Sequence, residues 1–383
     1  MMTPDEALQQ AQQLAQQFSA RATESNRLAR LAPEDIADLK SSGYLGLTVP
    51  TQFGGSGLNL HDTIAAHFVL AQGSPSTALV AAMQLQIFGH EREVREWSAE
   101  KYAQFCRAAA NGALFNAIAS EPTLGSPSRG QIYQTIANTS SDGKHYVING
   151  HKTWATGGEY LTHLLVRASL DGKPAVFLVE QGTDGVRWEY TWQYALSLRA
   201  SDSHDVYFEN VQVPADNLIA QPISPGKKLP NVWFPMVLCA VYLGAAMAAR
   251  NTLIDYAQER IPTALGKPIA TLPKIQRQIG EIDLALQAAR ALLFEVAAEW
   301  TGDNARRDAY FPRVAAAKTL VTETANSVTD KALRVAGGIS LTDSLPLEQY
   351  FRDVRAGLMQ PPSGDTALEI IGRNALAEYT NQT

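Results

Sequence analysis

Two short segments concentrate side chains suited to redox or binding chemistry: Ser120-Glu121-Pro122-Thr123-Leu124-Gly125-Ser126 and Asn149-Gly150-His151-Lys152-Thr153-Trp154-Ala155-Thr156. The first places the hydroxyls of Ser120 and Ser126 in a turn bearing Pro and Gly. The second sets a tryptophan among threonines. Hydroxyl and amide donors of this kind stabilise negative charge that builds up on an electron acceptor. Taken singly, each has an ordinary reading, as serines in a polar turn or a tryptophan in a β-domain core. Other chemistries lack their residues. His151 and His163 have no metal-ligand spacing around them. Cys106 and Cys239 give neither a disulfide framework nor a metal pair, and are expected to be small buried hydrophobes. The run Val49-Pro50-Thr51-Gln52-Phe53-Gly54-Gly55-Ser56-Gly57 lacks the Gly-x-Gly-x-x-Gly spacing and the strand-then-helix setting of a phosphate loop, so it reads as a turn-rich connection.

The elements that must position these residues follow an α, β, α order, giving an α+β fold class. Residues 1–113 carry helical signals: Pro33-Glu34-Asp35 opens an amphipathic turn, and Ile36, Leu39, Leu45 and Leu47 recur at roughly helical spacing. Residues 114–222 change to short β-rich runs at 145–148, 164–166, 175–179, 186–190 and 206–208, the mark of a compact β-barrel or sandwich. His145 to Ile148 before Asn149-Gly150 reads as a hairpin arm, because Asn-Gly supplies the positive φ angles of a tight turn. Residues 223–383 are helical, with Ala- and Leu-rich stretches at 243–258, 274–300 and 312–335 that predict an antiparallel four-helix bundle. The apolar run from Phe234 to Ala249, interrupted by Pro235 and Gly244, falls short of the ~20 residues that span a bilayer and reads as a helix buried on all sides.

With 383 residues, 45% of them hydrophobic, the chain can build a large core shared by two or three modules. A formal net charge of -6 argues against a nucleic-acid or anionic-membrane partner, which clustered Lys and Arg would serve. The polar stretch from Met1 to Gln17 carries Asp5 and Glu6 where a secretory signal would be basic, so the expected location is cytoplasmic.

On the two opening segments and the Val49 to Gly57 run, the chain resembles the acyl-CoA dehydrogenase superfamily over essentially its whole length. The resemblance implies a flavin, FAD with FMN as the alternative, between the β-domain and the bundle. It places the Ser120 hydroxyl at the flavin ring edge, Ser126 on the phosphate or ribitol side, and Trp154 and Thr156 against the ring. Pro127 stands where an Asp often follows. Tyr256-Ala257-Gln258-Glu259-Arg260 resembles the helix end whose Arg reaches the cofactor pyrophosphate of a neighbouring subunit, a task suited to a planar guanidinium fork. The following Ile261 to Pro268 is longer than the family's usual Lys-Thr-Phe-Gly-Lys and lacks the Phe. Gly337 and Gly338 would let backbone approach the dinucleotide closely. Arg352 and Asp353 match the family's Arg-Asp helix start and read as a structural salt bridge. The resemblance further implies a homotetramer or homodimer built on the C-terminal helices, a small-molecule substrate such as an acyl-CoA, and an electron-transfer flavoprotein or flavin reductase as redox partner.

The catalytic base is where the chain departs from the family. In these dehydrogenases a Glu just before the last helix takes the α-proton, and Pro361 stands at that position. The alternative Glu, on the first long bundle helix, is matched by Phe234, with Pro235 at the neighbouring substrate-binding Arg. Neither Pro361 nor Phe234 can accept a proton. Asp365 and Glu369 are close in sequence but read as helix-start residues. The segments 272–280, 288–293 and 353–362 are similar to the branch that includes two-component flavin monooxygenases, which use reduced flavin and O2 and need no such base. Their characteristic His is replaced by Met359 and Gln360. Three activities stand open: oxidation of an acyl thioester, flavin-dependent monooxygenation, and a flavoprotein that kept the fold without turnover.

Overall fold

The computed structural model describes residues 1–123, 132–221, 230–300 and 306–382. Ser126 and Pro127 lie outside the described residues.

The first helix, α1 (Pro4–Leu28), starts at a capping box in which Glu6 N donates to Thr3 Oγ1 and Thr3 N donates to Glu6 Oε2. Pro33 opens α2 (Pro33–Ser41), followed by α3 (Leu60–Leu70), α4 (Pro75–Val94) and α5 (Ala99–Ala110). A buried carboxylate ties three of these together: Asp35 forms an ion pair with Arg21 (Nε–Oδ1 2.9 Å) and accepts from Thr77 Oγ1 at 2.7 Å. The glycine-rich run between α2 and α3 forms 3-10 turns and irregular backbone, with no phosphate-loop geometry. Gly55 is required there, because a Cβ would lie 2.1 Å from the Val49 carbonyl oxygen.

The middle of the chain forms one eight-stranded mixed sheet. Its strands are β1 (Phe115–Ile118), β2 (Ile136–Thr139), β3 (His145–Ala155), β4 (His163–Leu170), β5 (Lys173–Glu180), β6 (Val186–Glu189), β7 (His204–Pro214) and β8 (Leu218–Ala220). The order is β6-β7-β3-β2-β4-β5-β8, and β1 pairs parallel to β4. The Asn149-Gly150 pair is not the predicted turn. The β2–β3 connection turns at 140–144, and Asn149-Gly150 lies inside β3 at a register shift against β7. Gly150 is there for close approach: a Cβ would meet Thr135 Oγ1 at 2.4 Å.

The last part comprises four long helices, α6 (Trp233–Glu259), α7 (Pro273–Glu299), α8 (Arg307–Ala336) and α11 (Gly364–Gln382), with short α9 (Leu347–Asp353) and α10 (Ala356–Met359) between the final two. The predicted apolar run is the first part of α6, which continues ten residues beyond Ala249. By length and composition α6 could cross a bilayer, yet 72% of its most apolar window is buried inside the protein. Helices α3, α4, α7 and α8 all pack on it, which is why it is apolar around its circumference. Pro235 sits in its first turn, where the missing N–H costs nothing. Gly89 of α4 makes room for the fully buried Trp233 ring, whose indole N–H donates to Glu93 Oε1 at 2.8 Å; Trp300 donates to the same oxygen at 2.9 Å.

Arg352 and Asp353 are structural, but not as a pair. Arg352 pairs with Glu348 (Nε–Oε2 2.7 Å) and donates to Leu196 O and Asn26 Oδ1. The buried Asp353 carboxylate accepts from Leu198 N at 2.8 Å. Adjacent residues thus strap α9 to the β-domain and to α1. Burial, the largest influence, pushes Asp353 up to about 6, against the opposing pull of the Leu198 N–H and Arg352.

Two tests follow from this packing. Gly89→Ala puts a Cβ 2.3 Å from the Trp233 ring and should lower stability by about 1–3 kcal/mol in a denaturant titration. Because the folded-state value of Asp353 lies above its ordinary 3.8, its contribution is greatest at low pH and is lost as pH rises through about 6. Asp353→Asn should therefore flatten the fall in stability between about pH 4 and pH 7, read from melts across that range.

Candidate functional site

The described part of the first chemistry-bearing segment, residues 120–123, lies beside the second. Beyond β1 the chain runs along β3, where Thr153 N donates to Ser120 O at 3.0 Å. Beneath this contact a buried ion pair joins them, Lys152 Nζ donating to Glu121 Oε1 at 2.7 Å and to Ala119 O at 3.3 Å. The Glu121 carboxylate also accepts from Gln134 N and Thr135 N at 2.8 and 2.9 Å, and the Lys152 ammonium lies 4.5 Å from the centre of the Tyr133 ring. Burial would raise Glu121, but Lys152 and the two amides outweigh it and hold the carboxylate below its ordinary value. Burial lowers Lys152 to about 8 against the attraction of Glu121. Neither residue was assigned a role from sequence. The available signal was two opposite charges inside strand and turn segments of otherwise small or apolar residues.

Trp154 sits at a second irregularity of β3, a register shift against β7 between Lys152 and Ala155. Its φ is +60°, a left-handed value uncommon for a bulky residue. The side chain is 61% exposed, whereas Lys152, Thr153, Ala155 and Thr156 beside it are all buried. The bulge therefore turns one large apolar ring outward from between buried neighbours. Thr156 is fixed at its backbone, with N donating to Trp154 O and O accepting from Asn116 Nδ2, both at 2.9 Å. Its hydroxyl contacts Ser203 Oγ at 2.8 Å, and Ser203 Oγ contacts Ser201 Oγ at 2.7 Å. Thr153 Oγ1 is buried without a partner among the described residues, and Ser120 is half-buried. An outward flat ring with an unpartnered hydroxyl beside it fits a planar, hydrogen-bonding cofactor such as a flavin.

The remaining predicted residues are not joined to this cluster by any hydrogen bond among the described residues. Arg260 caps the end of α6 with its side chain exposed. Gly337, at φ +76°, and Gly338 are exposed at the end of α8, and a Cβ on either would meet nothing in the chain. At the expected base positions, Pro361 is exposed and Phe234 half-buried; Gln360 Oε1 accepts from Tyr242 OH at 2.7 Å. Asp365 and Glu369 are exposed on α11. The two strand histidines pack structurally: His151 pairs with Asp205 at 2.7 Å and stacks on Tyr207, and His163 stacks on Phe115. Both cysteines are free and buried.

Lys152→Met should cost about 3–5 kcal/mol by leaving the Glu121 charge buried and unpaired, measured by urea unfolding. The double change Glu121→Gln with Lys152→Met should recover part of that loss, the sign of direct coupling.

Family models described as the acyl-CoA dehydrogenase N-terminal, middle and C-terminal domains match residues 4–111, 116–211 and 236–359. The putative acyl-CoA dehydrogenase YdbM of Bacillus subtilis is 35% identical over 364 residues, which cover 94% of each chain. Among solved structures, FMN-bound TdsC from Paenibacillus sp. A11-2 superposes with a TM-score of 0.85 at 23% identity, covering 97% of both chains. Butyryl-CoA dehydrogenase from Megasphaera elsdenii gives a TM-score of 0.83 at 23% identity, covering 98% of this chain and 99% of that one. Matched in all three domains, with a relative of this identity spanning nearly its full length, the chain belongs to the acyl-CoA dehydrogenase family.

Proposed function

We propose that this protein oxidises an acyl thioester, an acyl-CoA being the expected substrate class, with FAD held between the β-domain and the helical bundle. Its working units are residues 1–113, 114–222 and 223–383. The observation that carries this reading is Trp154, an indole turned outward at a left-handed bulge and backed by a buried ion pair. Strained backbone of this kind persists only where surrounding structure over-determines it, and it gathers at functional positions. A bound flavin would supply two-electron chemistry, taking a hydride from a saturated carbon of the substrate or, once reduced, passing electrons to oxygen. Trp154 covers the ring and excludes water, while Ser120 and Thr156 offer hydroxyls to its edge. By position in the family, Ser126 and Arg260 serve the phosphates, and Gly337 and Gly338 leave space for the dinucleotide. The exposed Leu284 on α7, with Leu368 and Leu376 on α11, support assembly through the C-terminal helices into a dimer or tetramer.

A second reading, a two-component flavin monooxygenase fed by a flavin reductase, is favoured by one observation. Neither Pro361 nor Phe234 can take an α-proton, and Asp365 and Glu369 stand on an exposed helix face.

Anaerobic titration with saturated acyl-CoA thioesters of graded length separates the two. Bleaching of the flavin band with formation of an equal amount of enoyl thioester is the outcome expected for the dehydrogenase. No bleaching across the panel, with one oxygen atom from O2 appearing in a product when a reductase supplies reduced flavin, would establish the second reading instead. Trp154→Ala should weaken flavin retention by about two- to tenfold, the worth of one aromatic contact. Flavin occupancy equal to wild type after dialysis would remove Trp154 from the site.

A further inference from the structure

We propose that Ser203, backed by Ser201, is a positioning residue that sets the hydrogen-bond direction of the Thr156 hydroxyl toward the flavin; the inference rests on the flavin site proposed above. Three hydroxyls stand in line, Thr156 to Ser203 at 2.8 Å and Ser203 to Ser201 at 2.7 Å, with Thr156 6%, Ser203 2% and Ser201 0% exposed. Two contacts consume two protons, and three hydroxyls carry three. If the line runs from Ser201 through Ser203 to Thr156, the Thr156 oxygen accepts from within and its proton is free to point outward. If it runs the other way, Thr156 spends its proton on Ser203 and presents only lone pairs outward. The same oxygen atoms thus present either a donor or an acceptor, with both internal contacts kept. An oxidised flavin edge accepts hydrogen bonds, whereas a reduced ring gains an N–H, so a line able to reverse can satisfy both states.

The turn carrying the two serines is built for fixed placement. Leu198 and Asp202 bracket it at φ +50° and +44°, left-handed values for residues other than glycine. The Asp353 carboxylate accepts from Leu198 N at 2.8 Å, Asp202 Oδ1 accepts from Leu31 N at 3.1 Å, and Ser201 O accepts from Gly157 N at 3.0 Å. Three distant parts of the chain therefore hold the turn against Thr156. The neighbouring His204 does not enter the line, since its Nδ1 accepts from Trp192 N at 3.2 Å.

The test compares flavin-loaded wild type with Ser203→Ala, Ser203→Thr, Ser201→Ala and Thr156→Val. The readouts are flavin midpoint potential, flavin dissociation constant and thermal midpoint. Ser203→Ala should change the ratio of reduced- to oxidised-flavin affinity by about fivefold, the size of one hydrogen bond, in the same direction as Thr156→Val. Ser203→Thr, which keeps the hydroxyl, should restore the wild-type ratio, and Ser201→Ala should give a smaller shift of the same sign. A merely structural serine would lower the thermal midpoint without moving that ratio. A shift in Thr156→Val with none in Ser203→Ala or Ser201→Ala overturns the positioning role and leaves the flavin site standing. No shift in any variant, together with unchanged flavin retention in Trp154→Ala, overturns the site and the positioning role with it.

Discussion

The ion pair between Glu121 and Lys152 is the contact on which the site depends. It is buried, and its carboxylate is further satisfied by two backbone amides, so its charges are compensated where water cannot reach them. Around it the chain past β1 and the end of β3 are locked in one register, and the Ser120 carbonyl takes the Thr153 amide as a direct result. Trp154 can be held outward at an unfavourable backbone angle because the residue two before it cannot move. Such a pair need not add net stability; its effect is to leave one arrangement of the two segments available.

A second level of constraint comes from outside the sheet. Arg352 and Asp353, at the end of α9, reach the 196–198 segment from the bundle, while the α1–α2 linker reaches Asp202 through the Leu31 amide. The turn behind Thr156 is therefore shaped jointly by the N-terminal helices, the sheet and the bundle. The β-domain supplies the residues, and the helical parts fix their angles. This arrangement explains how strained positions such as Leu198 and Asp202 are tolerated in a chain without disulfides among its described residues.

Much of this was readable from the sequence, and the exceptions share a cause. The order of helices and strands follows from hydrophobic period and turn residues, and the Ala- and Leu-rich stretches became α6, α7 and α8. Local propensity favours a turn at Asn149-Gly150, yet the pair lies inside β3. The glycine there answers a tertiary demand, close passage of Thr135, which no window of neighbouring residues contains. Arg352 and Asp353 were correctly read as structural, but sequence adjacency suggested a mutual pair where each has partners more than 150 residues away. Glu121 and Lys152 stand within the two opening segments, but their pairing across 31 residues shows only in three dimensions. Trp154 was placed on its strand, while its outward turn depends on a bulge, a backbone irregularity without a residue signature here.

Helix α6 carries a consequence for how the chain is made. It is apolar on every side because other helices enclose it, and those helices come from both directions along the sequence. During synthesis α3 and α4 emerge first and can cover one flank as soon as α6 appears. The opposite flank must wait for α7 and α8. For that interval the ribosome presents the apolar first part of α6 half-clothed, a segment that chaperones or a membrane could compete for. The faster 273–336 follows, the shorter that exposure lasts.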